Sequence, residues 1–194
     1  MVIQQMKANR ASLKVEWEKG ERLTPDVRMR RALNAGLQFA DSYGRLQIFC
    51  DAALIARFTG MAAWTRQLGE LWTVCDNIWK WQAELKHCLS IKPFWPLMMD
   101  RRERARFAKL PNVVTLFRGC GRKNRIGFSW SLNRSIAEEF PNMNRYRTEH
   151  PRLITAEVPR QSCVALKLCR NEEEVIAFVE PQHVTAETRL VARQ

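Results

Sequence analysis

The chain has 194 residues, 46% of them hydrophobic, which is ample for a packed core. No stretch approaches the roughly 18 consecutive apolar residues of a membrane span, and Met1 to Ala8 lacks the basic-then-apolar order of a secretory leader, so a cytoplasmic location without membrane attachment is expected. The formal net charge of +12 favours acidic partners, nucleic acid among them, but 19 Lys and Arg face 11 Asp and Glu up to Leu110 and 13 face 9 beyond it, so there is no separate basic tail.

In chain order, Thr24-Pro25-Asp26 reads as a helix start, with a cap residue and a proline at the first helical position, and helix is expected up to about Phe58. Tyr43-Gly44 is the natural break within it. From Met61, the residues Trp64, Leu68, Leu71, Cys75 and Ile78 recur every three or four positions, which predicts a second helix ending near Ser90. Five of the seven tryptophans fall between Trp64 and Trp95; such a stripe could stack bases, but core packing is the better reading.

Lys92-Pro93-Phe94-Trp95-Pro96 cannot continue a helix, because each proline lacks a donor and restrains its predecessor; it reads as a turn or hinge. A charged helix follows, Asp100 to Lys109, whose arginines 101, 102, 104 and 106 form either a solvated face or a phosphate or partner site. Six short β-like runs then appear: Val113 to Phe117, Gly127 to Ser131, Leu153 to Val158, Cys163 to Leu168, Val175 to Val179 and Thr188 to Val191. Only Ser135 to Phe140 reads as helix among them. The chain is therefore expected to be α+β, with a helical part over 1–110 and a mostly antiparallel sheet over 111–194.

The six cysteines show no CxxC or Cys/His spacing, and the three histidines are dispersed, so neither a metal site nor a disulfide framework is signalled. Reduced, mostly buried thiols are the plain reading.

Three features follow one another in the second part: Leu116-Phe117-Arg118-Gly119, then Gly127-Phe128-Ser129-Trp130-Ser131, then Asn171-Glu172-Glu173-Glu174-Val175-Ile176. In this order they resemble the Arg-Ser-Glu class of the ADP-ribosyltransferase superfamily. There, an aromatic-Arg-Gly closes the first core strand, a Ser-x-Ser opens a second, and a Glu-x-Glu precedes an apolar strand. The resemblance covers roughly Val113 to Phe178. A Trp inside Ser-x-Ser, a compact sheet and a third consecutive acid depart from the family pattern.

The resemblance implies a split antiparallel sheet that binds NAD as substrate, with the helical part packing on it and completing the cleft. It implies a macromolecular acceptor, in the first place a protein arginine. Arg118 would hold the NAD phosphates, a task suited to a guanidinium that presents several fixed donors. Its plain alternative is a strand residue paired with a nearby acid.

Gly119 would bring its backbone close to the nicotinamide carboxamide, and Ser129 would orient the catalytic acid through its hydroxyl. Ser131 would support the strand beside the cofactor. Glu174 aligns with the catalytic acid, which stabilises positive charge developing on the ribose.

Glu172 would take a proton from the acceptor. It shares a face with Glu174 if the segment is extended, with Glu173 turned away. Arg170 and Asn171, in the position of the family's target-recognition loop, would contact the acceptor or else be solvated turn residues. Phe140 would wall the nicotinamide or pack in the core, and Trp130, alternating with Ser129, would be buried on the other face.

Three other functions stay open at this point: NAD hydrolysis with water as acceptor, a basic module binding nucleic acid or an acidic protein, and a non-enzymatic inhibitor on a degraded transferase fold. A small basic transferase also fits a phage or toxin effector acting in the cytosol of the producing or infected cell, an association with the family and no more.

Overall fold

The structure, a computed structural model, describes residues 2–143, 146–169 and 173–191. It is α+β, and it divides into two compact units after Met99. The arginine-rich helix therefore belongs with the sheet, and the division falls ahead of the expected one at 110.

The first unit is helical: α1 (Val2–Lys19), α2 (Pro25–Leu37), α3 (Arg45–Ile55), α4 (Met61–Leu71) and α5 (Gln82–Cys88), with short 3-10 turns at Trp72–Val74, Ile78–Trp81 and Lys92–Met98. Pro25 opens α2 after an extended Thr24, as expected, but the Thr24 side chain makes no capping bond. Asp26 instead accepts the amide of Ala63 at 3.2 Å, tying the start of α2 to the start of α4. Gly44 sits at the break between α2 and α3.

The helix expected from Met61 to Ser90 is interrupted. After Leu71 the chain tightens into a 3-10 turn, Cys75 is extended and Asn77 has a φ of 55°. A left-handed residue ends any right-handed helix, so Cys75 and Ile78 fall off the helix that carries Trp64 and Leu68, and the separate, shorter α5 follows.

Trp64, Trp72 and Trp95 are buried, whereas Trp79 keeps 41% of its surface exposed. The indole N–H of Trp64 donates to the Phe49 carbonyl, and that of Trp95 to the Leu89 carbonyl, each at 2.7 Å. Burying an indole without such a partner is costly. Lys92–Met98 runs flush along α4: a Cβ on Gly69 would stand 2.2 Å from the Met98 carbonyl oxygen. The proline-rich stretch is thus a packed 3-10 segment, not a hinge.

Among the described residues, the second unit holds α6 (Arg101–Phe107), α7 (Arg134–Glu139) and six strands: β1 (Val113–Cys120), β2 (Ser129–Ser131), β3 (Arg152–Pro159), β4 (Cys163–Lys167), β5 (Glu174–Ala177) and β6 (Val184–Arg189). They form an open antiparallel sheet in the order β4-β5-β2-β1-β3-β6. The split sheet that the resemblance implies forms here as one continuous open sheet. The halves β4-β5-β2 and β1-β3-β6 meet edge to edge, and β1 and β2 share a single register pair, Phe117 with Ser131.

Each edge is managed differently. The β4 edge is buried from end to end, with α6 packed against it. The β6 edge is largely exposed. It begins at Val184, ahead of the expected Thr188, because without a buried face its apolar alternation is weak.

No described helix is long and apolar enough to cross a membrane. The cysteines are free, with Cys169 exposed and the other five buried.

Candidate active site

The short contact between β1 and β2 leaves a pocket on the second unit. Residues 117–119 of β1, 129–131 of β2, Ile136, Ala137 and Phe140 at α7, and Glu174 of β5 line it. The open space between these residues, mouth included, is about 360 Å³.

Strand register explains which side chains meet. Ser131 pairs with Glu174 and Ser129 with Ile176, and paired residues point to the same face of a sheet. Ser129, Ser131 and Glu174 therefore share one face, and Trp130 and Val175 the other. The Ser129 hydroxyl donates to Glu174 Oε1 at 2.5 Å. Both residues are half-buried, so this carboxylate is oriented yet reachable from the pocket.

Arg118 follows the buried Val114 and Leu116 along β1 at two-residue intervals and so starts from the face opposite Phe117 and its partner Ser131. Its Nε donates to the Asn124 carbonyl at 3.1 Å and its Nη1 to the Ser129 carbonyl. Gly127 makes room for it, since a Cβ there would lie 3.0 Å from Nη2. Burial pulls the Arg118 pKa down from its ordinary value, while Cys120 and Glu174 favour the charged form. A guanidinium remains protonated through such a shift. Arg118 accordingly anchors the loop after β1 to the backbone of the Ser-x-Ser strand and brings a positive charge to the pocket.

Gly119 cannot carry a side chain. A Cβ would fall 1.8 Å from the Ala137 carbonyl oxygen and 2.6 Å from the Pro141 ring, because α7 crosses directly over β1. The Asn133 side chain caps α7 by accepting the Ser135 amide at 3.0 Å. Ser131 is buried, and its Oγ accepts the Asn133 amide at 2.9 Å, which fixes the turn from β2 into the helix. The Trp130 indole donates to the Gly127 carbonyl at 2.6 Å. Phe140 is half-buried at the pocket wall and stacks on Tyr146, with centroids 4.3 Å apart and planes 19° from parallel.

The acidic run differs from the extended geometry expected of it. Glu173 has a φ of 40°, so the two-residue alternation does not pass through it, and the strand begins only at Glu174. The Glu173 side chain pairs with Arg106. Arg170, Asn171 and Glu172 lie outside the described residues.

Sequence reasoning missed a buried ion pair beside this site. Glu103 and Lys167 are 3% and 6% exposed. Glu103 Oε2 accepts the Asp100 amide at 2.9 Å and the Lys167 ammonium at 2.8 Å, and its Oε1 accepts the Leu168 amide at 3.2 Å. The Asp100-x-x-Glu103 capping box was readable in the sequence. Its second use, receiving a lysine from a strand more than sixty positions later, was not. The arginines of α6 are exposed, which a solvated face and a partner site both require.

Comparison with protein-family models, curated proteins and solved structures finds no match. The family resemblance stands on the three motifs.

Proposed function

We propose that the second unit is a mono-ADP-ribosyltransferase that cleaves NAD and transfers ADP-ribose to a macromolecular acceptor, in the first place a protein arginine. One observation carries the reading. The Ser129–Glu174 hydrogen bond brings a serine and a carboxylate from motifs 45 positions apart to a single pocket that Arg118, Gly119 and Phe140 also line. Packing alone supplies no reason to gather a carboxylate, a guanidinium and a hydroxyl at a half-open cleft, because each is more stable solvated or fully paired.

The chemistry follows from the side chains. The bond between nicotinamide nitrogen and ribose C1′ breaks with its electron pair going to the ring, so nicotinamide leaves neutral and positive charge develops on the ribose. Glu174, oriented by Ser129, stabilises that charge and accepts a hydrogen bond from a ribose hydroxyl. The fixed backbone of Gly119 offers an edge for the carboxamide, and Phe140 a flat apolar wall. Arg118 contributes positive charge toward the phosphates. The acceptor guanidine nitrogen then attacks C1′ and loses a proton, for which Glu172 is the candidate base.

The test is incubation of the whole chain with NAD labelled in its adenosine portion, in a bacterial lysate, followed by separation of protein, nucleic acid and free ADP-ribose. Label in protein supports transfer as proposed. Label only in free ADP-ribose makes the protein a hydrolase on the same site, and label in nucleic acid changes the acceptor class. No consumption of NAD rejects the reading and returns the basic binding module, whose mark is salt-sensitive binding to polyanions.

A further inference from the structure

Helix α6 is bonded to the chain on both sides of positions 170–172. Upstream, its Glu103 carboxylate receives the Leu168 amide at 3.2 Å. Downstream, Nε and Nη2 of Arg106 donate to Glu173 Oε1 at 3.3 and 3.2 Å. Glu173 is one of four non-glycine residues with positive φ among those described, a conformation that an L side chain adopts only where its surroundings hold it. Two contacts hold this one: the Arg106 ion pair and the amide of Leu132, which donates to the Glu173 carbonyl at 3.1 Å. The next residue is Glu174, the first of β5 and the partner of Ser129.

We propose that Arg106 is a positioning residue for Glu174: its ion pair with Glu173 holds the left-handed turn from which β5 starts, and thereby sets the Glu174 carboxylate against the Ser129 hydroxyl. The catalytic consequence rests on the transferase reading, whereas the structural one does not. A half-exposed ion pair adds little to global stability. Its effect lies in placement, because release of Glu173 to ordinary backbone angles redirects the chain at the residue before the reacting carboxylate. Displacement of a catalytic group by about 1 Å is enough to cost as much as 100-fold in rate.

The experiment compares the wild-type chain with Arg106→Ala, Arg106→Lys and the exchanged pair Arg106→Glu with Glu173→Arg. Nicotinamide release is followed against NAD concentration. In parallel, native-state hydrogen exchange of the Leu132 amide, which donates to the Glu173 carbonyl, reports on the turn. Arg106→Ala should lower kcat about 10-fold with KM changed less than about 2-fold, and its Leu132 amide should exchange several-fold faster. Arg106→Lys should fall between, and the exchanged pair should recover most of both losses, as a double-mutant cycle of interacting residues requires.

Wild-type kcat and amide exchange in Arg106→Ala, or an exchanged pair no better than the single variants, overturns the proposal. If the wild-type chain itself releases no nicotinamide, the transferase reading fails separately. Hydrogen exchange of the Leu132 amide then decides alone: faster in Arg106→Ala and restored in the swapped pair upholds the positioning role, and an unchanged rate rejects it.

Discussion

The two units use similar residues for different ends. In residues 1–99 the indoles of Trp64 and Trp95 donate to backbone carbonyls within a closed core, and Gly69 lets one segment lie flat on a helix. In residues 100–194 the indole of Trp130 and the crowded Gly119 do the same work on either side of an opening. Beside that opening a serine, a glutamate and an arginine meet. Close packing by itself therefore does not mark a site. Polar groups from separate strands held together at a pocket do, because desolvating them is unfavourable unless something else depends on their meeting.

The strongest way to break this contrast is to remove the meeting carboxylate. Glu174→Gln should reduce both transfer and NAD hydrolysis by about 100-fold to 1000-fold, while Glu172→Gln should suppress transfer and leave appreciable hydrolysis, since water needs no base placed for a guanidine. Nicotinamide release and incorporation of label into protein, measured side by side, check both. Full activity in Glu174→Gln sinks the transferase reading, and equal loss of both activities in Glu172→Gln removes the case for an arginine acceptor.

Next in size is the buried pair. Lys167→Met leaves the Glu103 carboxylate charged and buried without its ammonium, which costs about 3–5 kcal/mol; adding Glu103→Leu should recover part of that. Denaturant unfolding of the single and double variants measures it, and a single variant as stable as wild type would show that Glu103 is adequately held by its two amides.

The paired glycines sharpen the contrast directly. Gly69→Ala and Gly119→Ala each drive a Cβ into a backbone carbonyl, and overpacking of this kind costs about 1–3 kcal/mol or more. Both should lower the denaturation midpoint, but at a temperature where both remain folded only Gly119→Ala should lose NAD cleavage. Equal activity in the two would detach the pocket from the chemistry.

The smallest effect concerns pH. Arg152, through its hydrogen bond, and Arg125 hold the Glu187 carboxyl below its ordinary value of 4.5. A depressed folded-state pKa contributes stability that is present above 4.5 and is lost as pH falls through the lower folded value. Glu187→Gln should therefore lower stability slightly at neutral pH and flatten its decline in acid, as followed by thermal melts across that range. An acid decline as steep in the variant as in wild type would remove Glu187 from the cause.

Sequence alone determined the α+β order, the approximate extent of five of the six strands, and the three motifs whose residues line the pocket. Those features are written in local signals: apolar alternation, a proline at a helix start, a serine two places from another. It failed where a residue's state depends on distant neighbours. The periodicity from Met61 to Ser90 carried no sign of the left-handed Asn77, and Glu173 looked extended because its run of acids precedes a strand. Glu103 looked like a cap and nothing more. Only the tertiary structure decided that the half-sheets join at one register pair, that Gly119 lies under α7, and that Glu103 meets Lys167. Each of these is a contact between segments far apart in the chain, and local propensity contains no term for the partner that folding brings.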